Sequence, residues 1–209
     1  FVDEIVIDTE REFNKETIDT LKEKIIDYVE SKQKIEAVKL FDLIVREAND
    51  LITPNTPEYT YLAASSLRRK LYKHASKNRG FDYKKGYGDY YSLVIQLTEQ
   101  GLYSQDILDS YTEAEIKKVG KFIDKTKDKM FSYAGLHMLL NTYLVKGYEG
   151  EIIELPQERF LTTAMYLMKD GSIVKTVMCG DSEVEETSFE VYTANEKYML
   201  NTERLKSLL

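Results

Sequence analysis

The chain has 209 residues, enough for one domain with a sizeable core or for a domain and an appendage. A formal charge of −7 argues against a phosphate-backbone binder, whose affinity needs a basic surface, so no nucleic-acid partner is expected. A single cysteine excludes an internal disulfide and points to a reducing, intracellular setting, hence a cytoplasmic location. No apolar run reaches the roughly 18 residues of a membrane span and no secretory signal precedes the charged opening, so no membrane partner is expected. The start at Phe1 in place of Met is read as a sign that something upstream is missing. With only 3 Pro and 10 Gly, long regular elements are favoured over a loop-rich fold.

In chain order, Val2, Ile5, Val6 and Ile7 suggest an edge strand or a cap. Thr17 opens a helix whose apolar face is Ile18, Leu21, Ile25, Ile26 and Val29, with a solvated charged face between them. Residues 35–52 continue helically, with Ala37, Phe41, Ile44, Ala48 and Leu51 on one side and Leu40 at its border. The turn Thr53-Pro54-Asn55-Thr56-Pro57 ends that helix, because each Pro biases its predecessor away from helix. Thr56 is read as the cap of the next helix, with Pro57 at its first position. That helix runs to about Ser76 and turns Tyr61, Leu62, Ala64, Leu67 and Leu71 inward.

Its end carries Arg68, Arg69, Lys70, Lys73, His74, Lys77 and Arg79. Such a run either complements the helix dipole or forms a phosphate or partner site. Gly86-Tyr87-Gly88 in the next loop is no nucleotide fingerprint, because no strand precedes it and a third glycine is missing. Tyr90 to Gln100 is a helix closed at Gly101, and Thr112 with Glu115 makes a capping box for a helix over 113–129. The stretch Phe131–Phe160 then places Leu136, Leu139, Leu140 and Tyr143 on one helical face. It continues with β-prone runs 143–146 and 151–154 around the turn Gly147 to Gly150, read as a hairpin, and residues 157–168 read as a buried helix. From 169 the texture changes: Ser172 to Val177 and Phe189 to Tyr192 suggest short strands, and Asn201 to Leu209 a final helix. The fold class expected is mainly α, a helical bundle-like N-terminal domain with a short β-hairpin, plus a small α+β C-terminal tail.

No catalytic or metal-binding residue is assigned. His74 and His137 are far apart and lack a partner at metal-ligand spacing, so His137 is read as a hydrogen-bonded core or interface histidine. Cys179 sits among Asp181, Glu183, Glu185 and Glu186, which oppose the thiolate, so it is read as inert. Glu151, Glu154 and Glu158 are either paired carboxylates for acid–base work or charges flanking a hairpin. The residues alone describe a helical module without its own active site.

Several blocks go further: Asp50-Leu51-Ile52, Thr56-Pro57-Glu58-Tyr59-Thr60-Tyr61-Leu62-Ala63-Ala64, Gly101-Leu102-Tyr103, Tyr111-Thr112-Glu113-Ala114-Glu115, Phe131-Ser132-Tyr133-Ala134-Gly135-Leu136, Tyr143-Leu144-Val145, and Gly150-Glu151-Ile152-Ile153-Glu154-Leu155-Pro156-Gln157-Glu158-Arg159-Phe160. In this order and spacing, from about Val45 to Met168, they resemble the N-terminal helical region of the large subunit of class I ribonucleotide reductase. The resemblance implies an oxidoreductase that makes deoxyribonucleotides by radical chemistry. Its catalytic cysteines lie in an α/β barrel that follows the helical region, and no residue here matches them. It also implies a small subunit with a radical metallocofactor, nucleotide effectors, and no cofactor held by this chain itself. Residues 1–34 lack the family's ATP-cone start, so the cone is degenerate or absent. Where the family often has Thr and His this chain has Ala37 and Phe41, and Lys73 stands where an effector nucleotide is contacted. Residues 35–168 are then the reductase helical domain and 169–209 a divergent tail, whose Cys179-Gly180-Asp181-Ser182 faintly echoes a specificity-nucleotide loop. Were that echo real, the redox cysteine would fall near Val174 and be absent. The expectation is a split or interrupted large subunit that docks onto a separate barrel-containing chain and has no activity alone. The alternatives are a regulatory or interaction module that binds the reductase, and a part of a longer chain.

Overall fold

The computed structural model describes residues 1–32 and 35–169, together with the paired dipeptides Val191–Tyr192 and Lys197–Tyr198. The remainder of the tail, including the strand expected at Ser172 to Val177, Cys179 and the final helix, lies outside the described residues.

The opening residues form a helix, α1 (Val2–Asp8), not the edge strand or cap read from the sequence. Val2 and Ile5, three apart, share a buried face, while Ile7 is turned out to solvent. In α2 (Lys15–Glu30), capped by the Asn14 side chain on Thr17 N, the buried face is Ile18, Leu21 and Ile25. Ile26, read as part of that face, is exposed because it lies about 100° around from Ile25. Helix α3 (Ala37–Asp50) buries Phe41, Ile44 and Ala48 as expected, and Leu43 besides.

Thr56 does not cap the following helix. Its hydroxyl donates to Leu51 O (2.7 Å) and pairs with Thr53, so it closes α3 from behind. The next helix, α4 (Tyr59–Arg79), therefore starts two residues after Pro57 and ends at Gly80, whose φ of +73° only glycine adopts without strain. Buried residues occur all round α4, from Tyr59 to Ser76, as expected for a helix enclosed by its neighbours. Its first half belongs to one apolar cluster with α1, α2 and α3, and its second half to another with Leu136 and Leu155.

A third cluster joins α5 (Tyr90–Glu99), α6 (Asp106–Ser110), α7 (Glu113–Gly120) and α9 (Pro156–Leu167). The Thr112–Glu115 capping box is present, but the helix expected over 113–129 stops at Gly120. Asp124 then accepts from Thr126 N and opens a separate 3-10 segment, Lys125–Met130. The short helix α8 (Tyr133–Met138) runs into a π turn, Leu139–Tyr143, closed by Leu144 N to Leu139 O at 2.9 Å. That wider turn rotates Tyr143 away from Leu136 and Leu139, leaving it exposed. The expected hairpin reduces to a single antiparallel bridge, Lys146 with Ile152. A longer ladder does not form because Val145 N donates to the Glu154 carboxylate (2.7 Å), with the backbone contact of Glu154 N to Val145 O only at 3.5 Å.

A Cβ on Gly120 would lie 2.9 Å from Cβ of Tyr90, which is buried and hydrogen-bonded through its hydroxyl to Thr162. Gly120→Ala is therefore expected to destabilise the fold by about 1–3 kcal/mol, through overpacking that outweighs alanine's gain in helix propensity. Urea unfolding of the two proteins measures this.

Candidate functional site

The polar residues of the 154–159 stretch converge in the interior. Pro156 at the first position of α9 and Glu158 two residues later set the geometry: Glu158 Oε2 accepts from Leu155 N at 2.8 Å, satisfying one of the helix's free amides. The same carboxylate receives Arg79 Nη1 at 2.8 and 2.9 Å, with both side chains at most 4% exposed. Glu154, fully buried, accepts from Val145 N, Arg159 Nε (2.8 Å) and the Tyr103 hydroxyl. Tyr103 in turn meets Thr162, which meets Tyr90.

Gln157 binds Asp124 from both ends of its amide, Oε1 accepting from Asp124 N (2.9 Å) and Nε2 donating to Asp124 O (2.6 Å). Nε2 also donates to Oδ1 of Asp128, which is fully buried. The hydroxyls of Tyr72 and Tyr87 donate to the other Asp128 oxygen, and Arg68 Nη1 to its backbone carbonyl at 3.0 Å. Burial, then the Asp128 charge, push both tyrosines up, so they remain protonated donors. Burial likewise raises Asp128 and Glu154, against the hydrogen bonds and the Arg159 charge that oppose it. It carries Glu158 to about 7 despite Arg79.

These carboxylates are the ones the sequence offers for acid–base work, and the fold separates them by role. Glu154 and Glu158 are enclosed, each held by its own arginine, with no solvent-exposed surface to meet a substrate. Glu151 is exposed and folds back on its own turn, accepting from Glu149 N at 2.9 Å. Asp128 escaped notice in the sequence; only the tyrosines at 72 and 87 and the glutamine at 157 mark it, and nothing in their spacing pairs them.

The basic run on α4 is mostly consumed by partners from other elements. Arg68 pairs with Asp8 of α1, Arg69 with Glu4, Lys70 with Asp42 of α3, and Arg79 with Glu158 of α9. Lys73 is half-buried and makes no ion pair with another described residue. His74 beside it is held below the usual imidazole range by burial, then by Lys70 and Lys77. Position 41, where the resemblance places a histidine, carries a buried phenylalanine whose ring lies 5.1 Å from that of Phe1. His137 is exposed on α8, not in the core, with the Asn141 amide 3.0 Å from its Nε2.

Among the described residues, no cluster of three or more His, Cys, Asp or Glu could hold a metal ion, and no helix is long and apolar enough to cross a membrane. An open groove between α2 and α3 is lined by Thr17, Thr20 and Leu51 and crossed by the Lys24–Glu47 pair at 3.0 Å. No convergent set of buried polar groups faces it.

Comparison with known proteins places this arrangement. The family model described as "Ribonucleotide reductase, all-alpha domain" matches residues 129–205, a span that begins at the 3-10 segment and crosses residue 169. Ribonucleoside-diphosphate reductase 1 subunit alpha of Escherichia coli (strain K12) is 33% identical over 141 residues, 65% of this chain and 17% of its own length. The subunit alpha of Haemophilus influenzae is 32% identical over 145 residues, 67% of this chain and 18% of its own. That of Enterobacteria phage T4 is 30% identical over 132 residues, 63% and 17%. The chain thus spans less than a fifth of the length of these relatives.

Two outcomes test the polar interior. Asp8→Ala leaves the buried Arg68 guanidinium without its carboxylate and is expected to cost about 2 kcal/mol or more in urea unfolding. For Glu158, the folded state holds a proton to about pH 7 where an ordinary glutamate releases it near 4.5. Its stabilising contribution is complete below about 4.5 and is lost as the pH rises through 7, an effect of about 3 kcal/mol. Stability is therefore expected to fall between pH 5 and 8, and Glu158→Gln to flatten that slope.

Proposed function

The matched part of this chain belongs to the N-terminal region of class I ribonucleotide reductase large subunits, and from that premise we propose that the chain supplies the helical part of a ribonucleoside-diphosphate reductase and acts only with the rest of the large subunit. The observation that carries this reading is the placement of the Glu154–Phe160 block. Its polar residues are consumed in holding α4, α5, α9 and the 3-10 segment together, so the block serves as scaffold and not as an active site. The radical-forming and reducing groups belong to the other parts of the enzyme: the barrel-containing remainder, and a small subunit carrying the metallocofactor. Conversion of ribonucleotides to deoxyribonucleotides, in the cytoplasm, is the activity of that assembly. No catalytic residue is assigned to this chain.

Lys73 is the residue we assign to an effector phosphate. Its support is local: a half-buried ammonium without an ion-pair partner among the described residues, next to His74 and about one turn from each of Lys70 and Lys77.

Reconstitution tests the main reading. The purified chain, a barrel-containing remainder and a small subunit are each expected to be silent alone and to reduce cytidine diphosphate when mixed. Equal turnover with and without this chain would leave it only a binding module. For the effector assignment, Lys73→Ala is expected to weaken ATP or dATP binding by about tenfold in calorimetry, the loss of one charge-assisted contact.

A further inference from the structure

His74 sits within a cationic face of α4. Lys70, Lys73, His74 and Lys77 stand at i, i+3, i+4 and i+7, the spacing that puts four side chains on one side of a helix. Lys70 is held by Asp42 of α3 at 2.5 Å, whereas Lys73 and Lys77 make no ion pair with another described residue. The Nε2 atom of His74 is enclosed and has no hydrogen-bond partner among the described residues. Buried polar atoms are ordinarily paired, so this one stands out.

Burial first, then Lys70, Lys77 and Lys73, favour the neutral imidazole. Asp42 opposes them from α3, but its carboxylate is already bonded to Lys70. The fold supplies no acceptor at Nε2, so stabilising the charged ring is left to a ligand. A polyphosphate seated on Lys73 and Lys77 lies within about one helical turn, roughly 5–6 Å, of the imidazole. At that separation negative charge favours the protonated ring.

We propose that His74 takes up a proton from solvent when a polyphosphate binds Lys73 and Lys77, so that effector binding tightens as the pH falls. The inference rests on the effector assignment proposed above and adds its regulation. At high pH the ring is neutral with or without the ligand and contributes nothing. As the pH falls through the titration of the bound state and then of the free state, the contribution grows, and below both it is complete.

The chain has two histidines, so NMR of the imidazole resonances follows each one. In the full chain His74 is expected to titrate about one pH unit higher with saturating ATP than without it, with His137 on α8 unmoved. In calorimetry the affinity of the wild type for ATP is expected to gain about tenfold more than that of His74→Gln between about pH 8 and pH 5, a comparison that removes the titration of ATP itself. ATP binding that Lys73→Ala weakens, but that leaves the His74 titration in place, overturns the proton uptake while the effector assignment stands. Equal shifts of both histidines would mark a general effect of the polyanion and overturn it as well. An equal pH gain in wild type and His74→Gln does the same. Absence of ATP binding at every pH overturns both readings.

Discussion

Enclosing Asp128, Glu154 and Glu158 in the interior of a helical protein imposes the constraint on which the other elements depend. A buried carboxylate is costly unless fixed donors surround it, and here nearly every donor comes from a different element. Arg79 reaches Glu158 from the end of α4, Tyr103 reaches Glu154 from beyond α5, and Tyr72, Tyr87 and Gln157 meet on Asp128 from three parts of the chain. Apolar clusters tolerate some sliding of one helix past another. Directional bonds to a dry carboxylate do not, so these three groups fix the register of α4, α9 and the 3-10 segment.

The same constraint explains the irregular backbone around the stretch. Val145 N goes to the Glu154 carboxylate, and the β ladder stays at one bridge. The Gln157 amide binds both backbone groups of Asp124, at the position where the chain leaves α7 and starts a 3-10 turn. Phe131 and Phe160, at the two ends of the stretch, come back together as a stacked pair. Local preference for helix or strand yields in each case to the need to satisfy a buried polar group.

A second set of ion pairs runs outward from α4. Arg68, Arg69 and Lys70 hold α1 and α3 through Asp8, Glu4 and Asp42. A basic run that could have met a phosphate is thereby largely turned into internal fastening, with Lys73 and Lys77 outside the ion pairs among the described residues.

Much of the fold was legible from residue spacing alone. The apolar faces of α2 and α3, the Thr112–Glu115 box, the glycine after α5 and the helix at 157–168 all follow from periodicity and capping chemistry, which act within a few residues. The sequence also carried the family resemblance, because blocks of residues in a fixed order and spacing need no structure to be read. It determined less where distant residues compete for one backbone group. Thr56 had a proline after it and the look of a cap, yet the Leu51 carbonyl five residues back claimed its hydroxyl. Glu154 and Glu158 looked alike on paper; only packing decided that each would be sealed with an arginine, one five residues away and the other 79. Spacing records what a helix or turn wants, whereas burial depends on which elements meet, and that is settled by the whole chain at once.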